Sequence, residues 1–345
     1  MRAVVIHAEK DLRVEAVETP DLKPNEVRVR LEAGGICGSD LHYYLHGGFG
    51  TVRLREPMIL GHEIAGRVDE VGGEVSRVKP GDRVAVNPSR ACGHCRYCRM
   101  GLQQHCTDMR FYGSAMRFPH VQGGFREALV IEERQAVKVA DGVSASSAAF
   151  AEPLAVCLHA AKRAGPLLGK KVLVTGSGPI GVLAMVAAKA AGAAEIVATD
   201  VVDAPLSIAR KMAATDVVNV AAEPERLKAE YGEEKGWFDV MLEASGNQHA
   251  LAGAFDVVRP GGVIVQIGVG GAFTLPMNVL VAKEFDLRGS FRFHEEFEWA
   301  VNMIGSGAVD FSPLLTATIP LDRAVEAFDL AADKSQAMKV QLAFG

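Results

Sequence analysis

The sequence predicts an α/β protein of two domains, a β-rich domain and a doubly wound parallel sheet. Three features of its 345 residues carry that expectation. The length is about twice that of a typical ~150-residue domain. From residue 1 to about 139, short apolar or alternating runs, among them 3–6, 26–31 and 83–86, are punctuated by Gly and Pro as strands and turns are. Beyond about residue 144, Ala-rich helical stretches alternate with apolar runs at 171–175, 195–199, 238–243 and 262–267, and strand–helix–strand repetition implies parallel βαβ units. Residues 297–304 are amphipathic and 338–344 strand-like, and this tail is expected to return to the first domain.

Composition points to a globular protein with a small-molecule partner. The chain is 49% hydrophobic and 23% charged, which excludes a disordered or fibrous protein. A net charge of −5 offers no positive field to nucleic acid or an anionic membrane surface, so neither is expected as a partner. Charges break every apolar run in residues 1–15, leaving no signal-peptide core, and the apolar stretch 180–188 falls short of the ~18 residues a membrane span requires. A cytoplasmic protein is expected, and in a reducing compartment clustered cysteines favour metal ligation over disulfides.

The run KVLVT at 171–175 passes directly into Gly176-Ser177-Gly178-Pro179-Ile180-Gly181 and then into a helical stretch, 182–191. This is GxGxxG between a strand and a helix, the context in which it binds a dinucleotide. Gly176 permits the tight turn, Gly178 lets the backbone approach a pyrophosphate, Gly181 lets helix pack on strand, and the helix N-terminus faces the phosphates. Asp200, nineteen residues after Gly181, ends the next strand where a carboxylate accepts hydrogen bonds from the adenosine ribose. An acid there repels a 2′-phosphate and favours NAD over NADP, with Arg210 tempering the preference. Residues 265–269 (VQIGV) read as a later strand ending at the ligand crevice, or equally as a plain buried strand.

Cys92, Cys95, Cys98 and Cys106 form Cys-x2-Cys-x2-Cys-x7-Cys, a spacing that lets four thiolates close on one tetrahedral Zn²⁺. Four protein ligands leave no open position, so this site staples a lobe and does no chemistry. His94 and His105 beside it are expected bystanders. A second constellation is dispersed over Cys37, Gly61-His62-Glu63 and Glu152. Thiolate, imidazole and carboxylate with an exchangeable fourth position let Zn²⁺ act as a Lewis acid. Taken singly, Cys37 also reads as core and Glu63 or Glu152 as a solvated charge.

Gly61-His62-Glu63, Gly66, Gly72 and Val75, followed by VKPGDRV at 78–84, resemble the signature of the zinc-containing medium-chain alcohol dehydrogenases, and the four-cysteine lobe belongs to it. The resemblance runs the whole chain. Within that family RFYGSAMRFP (110–119), FAEPL (150–154) and RGSFRF (288–293) are similar to the polyol branch, and most similar to its L-idonate 5-dehydrogenases. The resemblance implies a GroES-like catalytic domain over 1–147, with a structural zinc lobe at about 88–110. It further implies a Rossmann NAD-binding domain over 148–288 and a return to the catalytic domain over 289–345. Two zinc ions per subunit are implied: a structural one on the four cysteines and a catalytic one on Cys37, His62 and Glu63, with Glu152 close by, either bonding the metal-bound water or replacing a ligand. A carboxylate in place of a second thiolate makes a harder zinc site, suited to a polyhydroxylated substrate.

The activity so implied is reversible oxidation of L-idonate at carbon 5 to 5-ketogluconate, with hydride passing to NAD⁺. Ser39 takes the substrate's proton and His42 relays it. Ile267, Gly268, Val269, Ser290 and Phe291 join Gly176 to Gly181 in holding the cofactor. The substrate, an aldonate or polyol, is expected to meet Tyr43 and an arginine, for which Arg292 stands first and Arg110 and Arg117 follow, with His120 and Arg126 in the same stretches. Two departures qualify the resemblance: Phe293 stands where polyol enzymes often have tyrosine, and Pro205 where they usually have an adenosine-contacting arginine. A homodimer or homotetramer is implied. Alternatives are a sorbitol, xylitol or threonine dehydrogenase of the same family, a zinc-free reductase of the same fold, and, from another class, a zinc ribbon contacting nucleic acid through Arg90, Arg96 and Arg99.

Overall fold

A computed structural model describes residues 1–345, which form two units: Met1–Glu152 with His294–Gly345, and Pro153–Phe293. The divisions fall five residues beyond the expected 147/148 and 288/289 boundaries. At the first, the change in composition near residue 144 marks the loop and short helix before the helix Ala151–Ala164, and Glu152 in its first turn still belongs to the first unit.

The first unit is built on strands Arg2–Ala8 (β1), Glu26–Gly35 (β2), Glu63–Val71 (β3), Arg83–Val86 (β4), Ala128–Glu132 (β5) and Ala136–Lys138 (β6). In β2 the alternation EVRVRLEA buries Val27, Val29, Leu31 and Ala33 and turns Arg28, Arg30 and Glu32 outward, the period of a half-buried strand. Val27, Val29 and Leu31 pack into a core with Ile64, Val68, Val84, Val86 and Phe125. Strands β2 and β3 pair antiparallel and bring Gly35 opposite Glu63. Gly66 in β3 has no room for a side chain, since a Cβ would lie 2.1 Å from the Arg30 carbonyl oxygen. A nine-residue helix, Gly38–His46 (α1), follows β2.

The second unit is a six-stranded parallel sheet. Its strands are Lys171–Thr175 (β7), Glu195–Asp200 (β8), Asp216–Asn219 (β9), Phe238–Glu243 (β10), Val258–Gln266 (β11) and Asp286–Gly289 (β12), in the spatial order β9-β8-β7-β10-β11-β12. That is the doubly wound order, which reverses between β7 and β10. Helix Pro179–Ala190 (α2) follows β7 and starts three residues before the expected 182, because Pro179 at its first position needs no hydrogen-bond partner and has φ already set for a helix. Strand β11 begins at Val258, ahead of the expected 262, by an irregular pairing with β10 at its Pro260-Gly261 stretch.

The tail supplies helix Glu296–Gly305 (α3), strand Leu315–Pro320 (β13), helix Ala324–Ala332 (α4) and strand Lys339–Ala343 (β14) to the first unit. Strand β14 inserts beside β2, pairing Gln341 with Gly35, and completes a seven-stranded sheet in the order β6-β4-β3-β2-β14-β13, with β5 also on β2. No helix is long and apolar enough to cross a membrane. Replacing Gly66 by alanine forces the β2–β3 backbone apart; chemical denaturation should show a loss of about 1–3 kcal/mol.

Candidate active site

Strand register assembles the first cluster. Cys37 lies two residues beyond Gly35, and Gly35 pairs with Glu63, so the ends of β2 and β3 bring Cys37, His62 and Glu63 together. Their ligand atoms lie within 4.8 Å of one another. His62 and Glu63 are buried, Cys37 half-buried, and a Cβ on Gly35 would stand 2.1 Å from Glu63 Oε2. Burial, reinforced by the charge of Glu63, pushes the Cys37 thiol up to about 12. His62 Nδ1 is buried and without a hydrogen-bond partner, 3.7 Å from Asp40 Oδ1. A thiol, an imidazole and a carboxylate packed this closely in a buried site fit a Zn²⁺ with one position open.

Two residues that the sequence reading passed over hold this cluster. Asp40, fully buried in the first turn of α1, accepts the N–H of Cys37 (3.0 Å) through Oδ2 and that of Gly61 (3.2 Å) through Oδ1, tying the cysteine segment to the histidine segment. Burial raises its pKa, opposed by His62 and by the Cys37 N–H. An acid three residues after a helix-capping position is the sequence signal that points to it. Lys339 at the start of β14 is 4% exposed and donates to both carboxylate oxygens of Glu63 (2.8 and 2.7 Å) and to Ile36 O (3.1 Å). Burial alone would lower its pKa, but Glu63 and Cys37 reverse the sign, so it is raised. A lysine opening an otherwise apolar strand, KVQLA, is the signal here. Glu63 therefore meets a cation from the tail while its carboxylate lies within the cluster of Cys37 and His62.

Glu152 is 5% exposed and outside the ligand group, yet it feels the same charges. Burial pushes its pKa up to about 8, with His62 opposing and Glu63 and Cys37 adding to the rise. Ser39 and His42 lie one turn apart on α1; His42 is exposed, and its pKa is lowered by partial desolvation and by His46 and Lys334.

The four cysteines also lie within 4.8 Å of one another, all free thiols. Backbone amides already point at their sulfurs: Cys92 N–H and Asp108 N–H to Cys106 Sγ (3.2 and 3.3 Å), and Cys95 N–H to Cys92 Sγ (3.4 Å). N–H groups of Cys98 and Thr107 pull Cys95 down to about 5. Sulfurs so arranged suit thiolates around a tetrahedral Zn²⁺. His94 and His105 are exposed and outside the set.

In the second unit the glycine turn lies at the carboxyl end of β7. Gly176 has φ +84°, and a Cβ there would meet Ser245 N at 2.8 Å; a Cβ on Gly181 would meet Gly176 O at 1.9 Å. Gly178 caps α2, with Pro179 and Ile180 opening its first turn. Asp200 accepts from Ser177 N–H (2.7 Å), Val201 N–H (2.7 Å) and Val202 N–H (3.1 Å), so its carboxylate is fixed beside the turn. Ile267 and Gly268 donate their N–H groups to Glu243 O, and Val269 is 79% exposed. Ser290 N–H bonds Gln266 O, its hydroxyl is buried without a partner, and Phe291 is 43% exposed.

The substrate residues are scattered more widely. Tyr43 is 1% exposed in the core, its hydroxyl accepting Ala115 N–H (3.0 Å), so its ring packs the first unit. Arg117 pairs with Asp108 of the cysteine lobe. His120 bonds Arg55 N–H and Arg117 O and is structural. Arg110 is exposed in a short strand opposite Arg90. Arg126 is 8% exposed with an unpartnered Nε, burial drawing it down to about 10. Arg292 has φ +53° and lies 5.0 Å over the Phe291 ring.

Comparison with known proteins decides the family. Residues 23–141 match the alcohol dehydrogenase GroES-like domain and residues 179–306 the zinc-binding dehydrogenase domain. L-idonate 5-dehydrogenase (NAD(P)(+)) of Escherichia coli K12 is 46% identical over 329 residues, 95% of this chain and 94% of that one. The chain belongs to the zinc-containing alcohol dehydrogenase family. It is an oxidoreductase with a GroES-like and a Rossmann domain. The crystal structure of the Escherichia coli L-idonate 5-dehydrogenase superposes with a TM-score of 0.95 at 45% identity, covering 99% of this chain and 98% of that one. Sorbitol dehydrogenase of Bacillus subtilis is 35% identical over 347 residues, 99% of this chain and 97% of that one.

Two outcomes follow from the buried charges. Lys339→Met leaves the Glu63 carboxylate buried without its cation; chemical denaturation of the metal-free protein should show a loss of about 3–5 kcal/mol, and added Zn²⁺ should recover part of it. Glu152 binds its proton more tightly folded than unfolded, so its stabilising contribution to the metal-free protein is complete below the ordinary value of 4.5 and is lost as pH rises through about 8. Thermal melts of chelated protein between about pH 6 and about pH 9 should show the wild type losing a few degrees more than Glu152→Gln.

Proposed function

We propose that the protein is a zinc-dependent, NAD-preferring dehydrogenase that oxidises L-idonate at carbon 5 to 5-ketogluconate, reversibly. The observation that carries this reading is the 46% identity to a curated L-idonate 5-dehydrogenase across 95% of the chain, together with a buried Cys37–His62–Glu63 cluster. Two zinc ions per subunit are proposed, one on that cluster and one on Cys92, Cys95, Cys98 and Cys106. Bound at Cys37, His62 and Glu63, zinc supplies a Lewis acid that makes a substrate hydroxyl acidic near neutral pH.

The chain's own residues do the rest. Ser39 would accept the hydroxyl proton, and His42, one turn further along α1 and with its pKa lowered by partial desolvation, would relay it. Glu152, buried and with a raised pKa, holds a proton close to the cluster. Lys339 orients Glu63. Gly176 to Gly181 at the N-terminus of α2 would hold the pyrophosphate of a dinucleotide, and Ile267, Gly268, Val269, Ser290 and Phe291 its nicotinamide, which would supply the hydride acceptor. Asp200 takes the adenosine ribose and favours NAD; Pro205 supplies no cation for a 2′-phosphate.

Arg292 is the proposed partner of the aldonate carboxylate, through a two-pronged guanidinium contact. A homodimer or homotetramer is proposed, supported by the edge strand β12 with Leu287 42% exposed and by Met277 and Val281, 57% and 69% exposed, in the preceding helix.

The test is reduced-cofactor formation with L-idonate, sorbitol, xylitol and L-threonine, before and after zinc chelation. L-idonate should exceed the others in kcat/KM by about tenfold or more, and chelation should abolish turnover. A neutral polyol turned over faster would keep the zinc reading and reject the carboxylate contact at Arg292.

A further inference from the structure

The second unit holds one buried carboxylate, Glu243, and it is 0% exposed. It ends β10, opposite Thr175 of β7 on one side and Gln266 of β11 on the other. Strands β7 and β10 are the pair between which the sheet order reverses, so Glu243 sits at the switch point, where parallel sheets bind their ligands beyond the strand ends.

No lysine, arginine or histidine forms an ion pair with it. Its partners are hydrogen-bond donors from three strand ends. Oε1 accepts Ser245 N–H (2.8 Å), the Ser245 hydroxyl, Gly246 N–H (3.1 Å) and the Thr175 hydroxyl (3.4 Å). Oε2 accepts Gly246 N–H (3.0 Å) and the Gln266 amide. Gln266 is anchored through its nitrogen alone, which also donates to Gly268 O (2.9 Å), while its Oε1 is buried without a partner.

Two glycines of the proposed cofactor site rest on this knot. A Cβ on Gly176 would collide with Ser245, whose amide and hydroxyl the carboxylate holds. A Cβ on Gly268 would stand 2.2 Å from Gly246 N and 2.8 Å from Glu243 Oε2. The chain of contacts runs Gly176, Ser245, Glu243, Gln266, Gly268, from the pyrophosphate turn to the end of β11. Burying a carboxylate without a cation is costly, and the donors it gathers are the compensation.

We infer that Glu243 is a positioning residue for the dinucleotide, fixing the distance between the pyrophosphate turn and the nicotinamide end of the site. Its carboxylate acts on the pyrophosphate turn through Ser245 and on the nicotinamide end through Gln266, and its backbone carbonyl accepts the Ile267 and Gly268 N–H groups. This rests on the dinucleotide reading given under Proposed function. A carboxylate offers about four acceptor sites to these donors, whereas a glutamine of the same size offers two and turns an NH₂ toward N–H groups that need an acceptor. Glu243→Gln therefore preserves volume and removes the fastening.

The experiment measures reduced-cofactor binding by fluorescence titration, KM for the oxidised cofactor, kcat at saturating cofactor, zinc content and melting temperature, for wild type, Glu243→Gln and Gln266→Leu. Glu243→Gln should raise both the cofactor Kd and KM about tenfold with kcat within about twofold and zinc content unchanged. Gln266→Leu, which removes one donor and leaves the carboxylate, should raise them about threefold, and it carries the test if Glu243→Gln does not fold. Unchanged cofactor Kd in a folded Glu243→Gln protein would overturn the inference, since packing alone explains that result. So would a fall in kcat that matches the rise in KM, the mark of general damage. A wild-type protein that binds no dinucleotide would overturn the underlying reading and this inference with it, a result visible before any variant is made.

Discussion

The buried pair between Lys339 and Glu63 is the constraint on which the first unit depends. Two opposite charges taken from water are tolerated only where geometry is close and every donor and acceptor is satisfied. Here both carboxylate oxygens and the Ile36 carbonyl meet the ammonium. Lys339 lies on the last strand of the chain and Glu63 on the strand after Gly61-His62, with β2 between them. A one-residue slip of β14 would turn the lysine to the opposite face and leave the carboxylate buried and unpaired. The contact that fastens the tail to the first sheet is therefore also the contact that sets the candidate ligand beside Cys37 and His62.

Asp40 completes that arrangement from the other side. It spends its two oxygens on the amides of Cys37 and Gly61, so the residues that present thiol and imidazole are anchored to one carboxylate. Three acids thus share one small volume with different tasks: Asp40 ties backbone, Glu63 answers Lys339, and Glu152 holds a proton. Their environments separate them: burial raises Asp40 and Glu152, while Glu63 has the Lys339 ammonium in contact. The second unit solves the same problem of a precise site with fewer charges. Its glycines let backbone approach backbone at 176, 181 and 268, and one buried carboxylate gathers the strand ends.

Much of this was legible in the sequence because it is local. The cysteine spacing, the strand–glycine–helix passage at 171–191 and the alternation of β2 each depend on residues close together in the chain. The surroundings of Tyr43 and Arg117 were not. Tyr43 follows a zinc-site motif and reads as a ligand contact; its ring packs in the core and its hydroxyl accepts the N–H of Ala115, 72 residues away. Arg117 reads as a free cation, and the structure sets Asp108 beside it. Lys339 drew no notice, since its partner is 276 residues away.

By itself the sequence determined the two-domain α/β class, the four-cysteine donor set and the dinucleotide turn, because spacing along the chain restricts what neighbouring donors can reach; the set of Cys37, His62 and Glu63, dispersed along the chain, was reached only through the family resemblance. Tertiary structure alone decided which charges are partnered. Strand register, set by pairing between segments far apart in the chain, brought Lys339 to Glu63 and Gln266 to Glu243. Whether a buried charge meets a counter-charge, an amide or nothing is a property of that register, and no local pattern encodes it.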